Sequence, residues 1–130
     1  MKVGFTGTQK GMSKRQITAL TRLVLGLDMV EFHHGDCIGA NAEAHEVVRN
    51  MNTKVEIVIH PPSDPSKRAF KKGNFIRREL PYLERNQEVV KETRLLIAAP
   101  SSPQEELRSR TWATIRYARK VETPVLILDR

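Results

Sequence analysis

The stretch Lys2–Gln16, KVGFTGTQKGMSKRQ, decides the reading of the fold. Lys2–Phe5 is a short apolar run that empties into Thr6-Gly7-Thr8-Gln9-Lys10-Gly11. A helix pattern then opens at Ser13, where Ser13 and Gln16 have the spacing of a capping box that satisfies free N–H groups at a helix start. Ile17, Leu20, Val24 and Leu27 follow at helical spacing. A strand that runs through glycines into a helix lets backbone N–H groups and the positive helix end approach an anion. The turn spells neither GxGxxG nor GxxxxGK[ST], so no standard phosphate fingerprint is present.

The same alternation continues along the chain. Strands are expected at Val3–Phe5, Met29–Phe32, Val55–Ile59, Leu95–Ala98 and Val125–Leu128. Helices are expected from Ser13, over Ile38–Met51, over Leu83–Glu92, from Ser102-Pro103-Gln104-Glu105 and from Ser109. The strands are apolar runs with little alternation, as when both faces of a sheet are covered. This predicts an α/β fold, a Rossmann-like three-layer sandwich with a central parallel sheet of about five strands. Residues 1–130 read as one domain, without repeat or linker. Residues 60–80 have no clean period and form the longest irregular segment.

Right-handed crossovers place every strand-to-helix turn on one edge of such a sheet. With the first strand central, three segments converge there: Gly7–Gly11, Gly35–Gly39 and Pro100–Thr111. The second, HHGDCIGANAEAH, sets Gly35 and Gly39 around Asp36, with small side chains behind. Arg108 and Arg110 frame the last helix start, where cations oppose the helix dipole; that cost points to a partner anion, the alternative being solvent screening of flexible side chains. Trp112, one turn in, has three possible jobs: stacking on a base, a subunit contact, or core packing.

Composition narrows the classes. The net charge is +7, with seven Lys+Arg against six Asp+Glu in residues 1–60 and fifteen against nine in residues 61–130. KRAFKKGNFIRR, Lys67–Arg78, holds six cations and no acid, which reads either as a surface that attracts polyanions or as a solvated loop. No run of about 18 apolar residues is present, so no membrane span or membrane partner is expected. The N-terminus lacks a signal-peptide pattern, and the single Cys37 fits a reducing, cytoplasmic setting. Cys37 reads as an ordinary buried thiol, although His34 lies near it. Among His33, His34, His45 and His60 the spacing His34-x-x-Cys37 does not make a structural zinc site, so no metal and no resident cofactor is expected.

Four stretches together resemble the SLOG superfamily, named for the DNA-processing Smf protein and the "lonely guy" cytokinin-activating enzymes. They are Gly4–Thr8; His34–Asn41 with Ala44; Arg85-Asn86 leading into Leu95–Pro100; and Thr111–Ala118 leading into Pro124-Val125. The likeness spans nearly the whole chain and is strongest to small single-domain members of bacteria and phages. It implies a Rossmann-like fold, a nucleotide or nucleotide-derived ligand at the shared edge, and assembly into homo-oligomers. Where the hydrolase branch carries Pro-Gly-Gly-x-Gly-Thr-x-x-Glu, this chain has Arg110 at the glycine and Thr114 at the glutamate. Acid–base help at a glycosidic bond thus lacks its expected carboxylate; Glu105 or Glu106 could substitute from the loop, with nothing in the sequence fixing them there. Asn41 stands where many relatives carry Asp.

The expected ligand-binding residues are therefore Gly7, Thr8 and Gln9; Gly35, Asp36, Gly39 and Asn41; Arg85 and Asn86; and Arg110 and Thr111. No catalytic residue is assigned. The leading expectation is a sensor or sequestering protein for a small nucleotide or NAD-derived molecule. A single-stranded nucleic-acid binder using Phe70 and Phe75, a phosphoribohydrolase and a plain interaction module are the alternatives.

Overall fold

The computed structural model describes residues 1–130. The strands are β1 (Lys2–Gly7), β2 (Glu31–His34), β3 (Glu56–Ile59), β4 (Phe75–Ile76), β5 (Leu95–Ala99) and β6 (Val125–Ile127). The helices are α1 (Lys14–Gly26), α2 (Ala40–Met51), α3 (Tyr82–Lys91) and α4 (Arg110–Lys120). All strands run parallel, in the order β4-β3-β2-β1-β5-β6. Helices α1 and α2 pack together, as do α3 and α4. This is the Rossmann-like three-layer architecture expected from the alternation, with six strands in place of about five. Strand order reverses between β1 and β5, which makes that edge the switch point where ligands bind in such sheets. No helix is long and apolar enough to cross a membrane.

The capping box at the start of α1 forms as expected, with Ser13 Oγ accepting the Gln16 N–H and Gln16 Oε1 accepting the Ser13 N–H. Gln16 is fully buried, and its Nε2 donates to Pro100 O and Leu128 O at 3.0 and 3.2 Å. One side chain thus caps a helix and ties it to the ends of β5 and β6. The α1/α2 side holds the main core, in which Leu20, Val24, Ala44 and Val48 meet Phe5, Phe32, Ile57 and Ile97. On the other side Leu96 and Ala98 meet Val90, Trp112, Ile115 and Ala118. Trp112 is thereby a core residue.

Three expectations are corrected. Strand β2 begins two residues later than Met29–Phe32 and takes in His33 and His34, because Lys2 pairs with Glu31 and Gly4 with His33. Both imidazoles are buried because each finds a buried partner. No helix starts at Ser102–Glu105; Gln104 N–H turns back to Ser102 Oγ and Glu105 pairs with Arg116 at 2.9 Å. The one large apolar residue of that segment, Leu107, is 86% exposed, so a helix there would bury no face. Residues 60–80 contain β4 and a single 3-10 turn, Pro65–Lys67.

Candidate functional site

A cavity of about 450 Å³ opens at the carboxyl ends of β1 and β5. Eighteen residues line it and only three are hydrophobic, so a ligand would be held mainly by polar groups. Five of them are cations, Lys10, Lys67, Arg85, Arg108 and Arg110, against the single acid Glu106. A concave wall with that imbalance focuses a positive potential on its contents.

Of the expected residues, Gly7, Thr8, Gln9, Asn41, Arg85, Asn86, Arg110 and Thr111 line the cavity. Gly35, Asp36 and Gly39 do not, and the structure gives each a local task. Gly39 caps α2 at φ 90°, and an added Cβ there would strike the Gln9 backbone. Gly35 leaves the space that the Arg85 guanidinium fills. Asp36 is completely buried, with Oδ2 taking Arg68 Nε and Oδ1 taking the Lys71 N–H, both at 3.0 Å. Ala69 N–H and Ile38 N–H add backbone bonds to Asp36 O and Lys67 O. The basic segment is therefore docked on the second turn, which brings Lys67 to the cavity.

The first turn offers fewer N–H groups than its sequence suggests. Thr8 N–H donates to Ala99 O, Gly11 N–H to Thr8 O, Lys10 N–H to Thr8 Oγ1 and Met12 N–H to Glu43 Oε1. Gln9 N–H is left without a protein partner. The start of α4 is better supplied. Ser109 Oγ accepts Trp112 N–H at 3.2 Å and Ser109 O accepts Ala113 N–H at 2.9 Å. The N–H groups of Arg110 and Thr111 have no protein partner, and both residues face the cavity. Unpaired N–H groups at a helix start beside cations make an anion subsite.

Arg85 is buried, and its nitrogens are engaged by Gly35 O, His60 O, Asn86 Oδ1 and Cys37 Sγ. It shapes the wall and is not a free phosphate clamp or a surface ion pair. The sequence does not single out Tyr82, which precedes the expected helix Leu83–Glu92; its phenol accepts a 3.1 Å bond from Gln9 Nε2. The Arg110 guanidinium lies 3.5 Å from the Tyr82 ring centroid and that of Arg85 5.1 Å. This cation–π contact offsets part of the cost of a cation at a helix start. Burial, and then neighbouring Cys37, push the Tyr82 phenol above its ordinary value, so it stays protonated at neutral pH.

Cys37 is buried, and its sulfur accepts from Arg85 Nη2 at 3.4 Å. His34 Nδ1 accepts the Asp36 N–H at 2.9 Å, so the His34 proton sits on Nε2 and goes to His45 Nδ1 at 3.0 Å. Both nitrogens of His34 are used. Thr114, at the position of the hydrolase glutamate, is buried, and its hydroxyl donates to Arg110 O at 3.0 Å. Glu106 is the carboxylate on the cavity wall.

No protein-family model matches the chain, and comparison with curated proteins gives no match. Solved structures do resemble it. A molybdenum cofactor binding protein from the phototrophic bacterium Rippkaea orientalis is 15% identical, with a TM-score of 0.73 over 97% of this chain and 74% of that one. TM1055, a structural-genomics target, is 14% identical with a TM-score of 0.66 over 95% and 71%. The molybdenum cofactor carrier protein MCP from Chlamydomonas reinhardtii is 16% identical with a TM-score of 0.59 over 97% and 75%. At these identities the likeness is one of fold.

Proposed function

We propose that this protein binds a small phosphorylated ligand, a nucleotide or nucleotide-like cofactor, in the cavity at the β1/β5 switch point, and carries, senses or sequesters it without cleaving it. The observation that carries the reading is the pair of unpartnered N–H groups on Arg110 and Thr111, set at a helix start among five cations. The SLOG resemblance supports a nucleotide-derived ligand. Two structural neighbours, a molybdenum cofactor binding protein and a molybdenum cofactor carrier protein, support a small cofactor as an alternative ligand. The absence of a carboxylate at Thr114 supports binding over hydrolysis.

The test is a melting-temperature panel of nucleoside mono-, di- and triphosphates, NAD-derived compounds and molybdenum cofactor. Native mass spectrometry of protein purified from its host runs beside it. A dose-dependent shift, with the compound recovered intact, is the expected result. No shift from any compound together with an empty protein would overturn the reading, and recovery of cleaved ligand would restore hydrolysis. Single-stranded nucleic acid is a weaker fit because Arg68, Lys71 and Arg77 of the basic segment are paired with Asp36, Glu46 and Glu92. Binding to single strands that falls steeply with salt would nevertheless favour it.

A further inference from the structure

On the α3 side of the sheet, away from the cavity, His33 of β2, His60 just after β3 and Glu92 at the C-cap of α3 converge. One donor atom from each lies within 4.8 Å of the others. His33 Nδ1 is 2.8 Å from His60 Nε2, and His60 Nε2 is 3.7 Å from Glu92 Oε2. These separations bracket the spacing of about 3.3 Å between neighbouring ligands on a tetrahedral zinc ion.

The surroundings are those of oriented ligands. His33 Nε2 donates to Glu31 Oε1 at 2.8 Å. That bond keeps the proton on Nε2 and leaves the Nδ1 lone pair aimed at His60. A carboxylate behind a ligating histidine fixes its tautomer and raises its basicity. Glu92 is held in turn by Arg77, whose Nη2 and Nε reach Oε1 at 2.8 and 3.2 Å, with a longer 3.4 Å contact to Oε2. The Arg77 guanidinium that holds Glu92 is itself 45% exposed, and Lys2, more than half exposed, touches Glu31 at 3.9 Å. His33 and His60 are 1% and 2% exposed while Glu92 is 30% exposed, so an ion would enter past Glu92.

We propose that His33 Nδ1, His60 Nε2 and Glu92 Oε2 form a binding site for one divalent transition-metal ion of the zinc class. Two imidazoles and a carboxylate suit a borderline ion such as Zn²⁺ or Co²⁺. To bind, His60 moves its proton from Nε2 to Nδ1, and no ligand changes charge. The ion would clamp β2 and the end of β3 to the C-terminal end of α3. The other end of α3 carries Tyr82, Arg85 and Asn86 into the cavity wall, so metal occupancy would stiffen that wall from behind.

The experiment uses the full chain, stripped with a chelator and titrated with Co²⁺ and then Zn²⁺. One equivalent of Co²⁺ per chain should bind with the visible absorption of a low-coordinate nitrogen/oxygen site, and Zn²⁺ should displace it and raise the melting temperature. Imidazole resonances of His33 and His60 should move while those of His34 and His45 stay. Glu92→Gln keeps the side-chain shape and its bond to Arg77, and should weaken metal binding at least ~10-fold. Glu84→Gln, on the same helix, should not. Uptake that does not saturate at one ion per chain overturns the proposal, as does equal affinity in Glu92→Gln and His60→Gln, or shifts confined to His34 and His45.

Discussion

Under α1 and α2, 17 buried apolar residues join in one cluster; under α3 and α4 the apolar residues split into two clusters of three. On this second side the interior also holds His33, His60, Arg85, Thr93, Thr111 and Thr114, beside apolar Val89 of α3. The first side is mainly apolar and those contacts are non-directional, with Gln16, Asn41 and the His34–His45 pair as its buried polar members. The second is held by groups that each require a named partner: His33 by His60, Arg85 by the Gly35 and His60 carbonyls, Thr93 by Val89 O and Thr114 by Arg110 O. Helices α3 and α4 of this second side bring Tyr82, Arg85, Asn86, Arg110 and Thr111 to the cavity, while α2 of the first side brings Asn41. The sheet thus separates a mainly apolar side from one whose interior is richer in polar groups and carries most of the helical cavity wall.

The sharpest way to break this division is to damage the apolar side alone. Leu20→Ala, at a fully buried position, should cost about 4 kcal/mol in urea unfolding. The folded fraction should still respond to ligand as the parent does. Loss of that response in protein that remains folded would show that the two sides are not separable.

Acid tests the histidines next. Burial, foremost, lowers His34 well below its ordinary 6.5 and also lowers His45 and His33; burial and then His33 bring His60 to about 4. The unfolded chain takes up protons near 6.5, whereas the folded chain resists until lower pH. Stability is therefore complete above pH 6.5 and declines as pH falls toward 4, by on the order of 3 kcal/mol. Urea unfolding of metal-free protein at both ends of that window checks this, and equal midpoints would contradict it.

Smaller effects separate stability from binding at the site itself. Ser109→Ala removes the side-chain cap of α4 and should cost about 1 kcal/mol in thermal unfolding. Arg110→Ala should change stability by no more than about 0.5 kcal/mol, since the residue is exposed. It should weaken the binding of a phosphorylated ligand about 10-fold by calorimetry, the loss of one charge-assisted contact. The reverse pattern, a large stability loss with unchanged affinity, would make Arg110 a packing residue held by Tyr82.

The sequence makes β1, β3, β5 and β6 legible because these runs are largely apolar, whereas β2 is expected two residues early, its His33 and His34 being polar, and β4 is missed. Phe75–Ile76 is two residues long and exposed at the sheet edge, so it leaves no periodic signal. The second turn shows a different limit. Its glycines are real constraints, but Gly39 makes room for the Gln9 backbone and Gly35 for Arg85, 50 residues away. A glycine records that something approaches closely and does not say whether it is a ligand or the protein itself.

What the sequence by itself determined is the alternation of elements, the capped starts of α1 and α4 and the edge on which the turns meet, because these follow from local periodicity, capping and crossover handedness. Only the tertiary structure decided which polar groups are spent and which are free. Asp36 and Arg85 look like ligand contacts in the sequence and prove to be occupied by Arg68, Lys71 and backbone carbonyls. Tyr82 and the His33–His60–Glu92 cluster acquire their places through partners far away along the chain. The physical reason is that hydrogen bonds and ion pairs are saturable: whether a side chain can receive a ligand depends on who already holds it, and that is a property of the folded molecule.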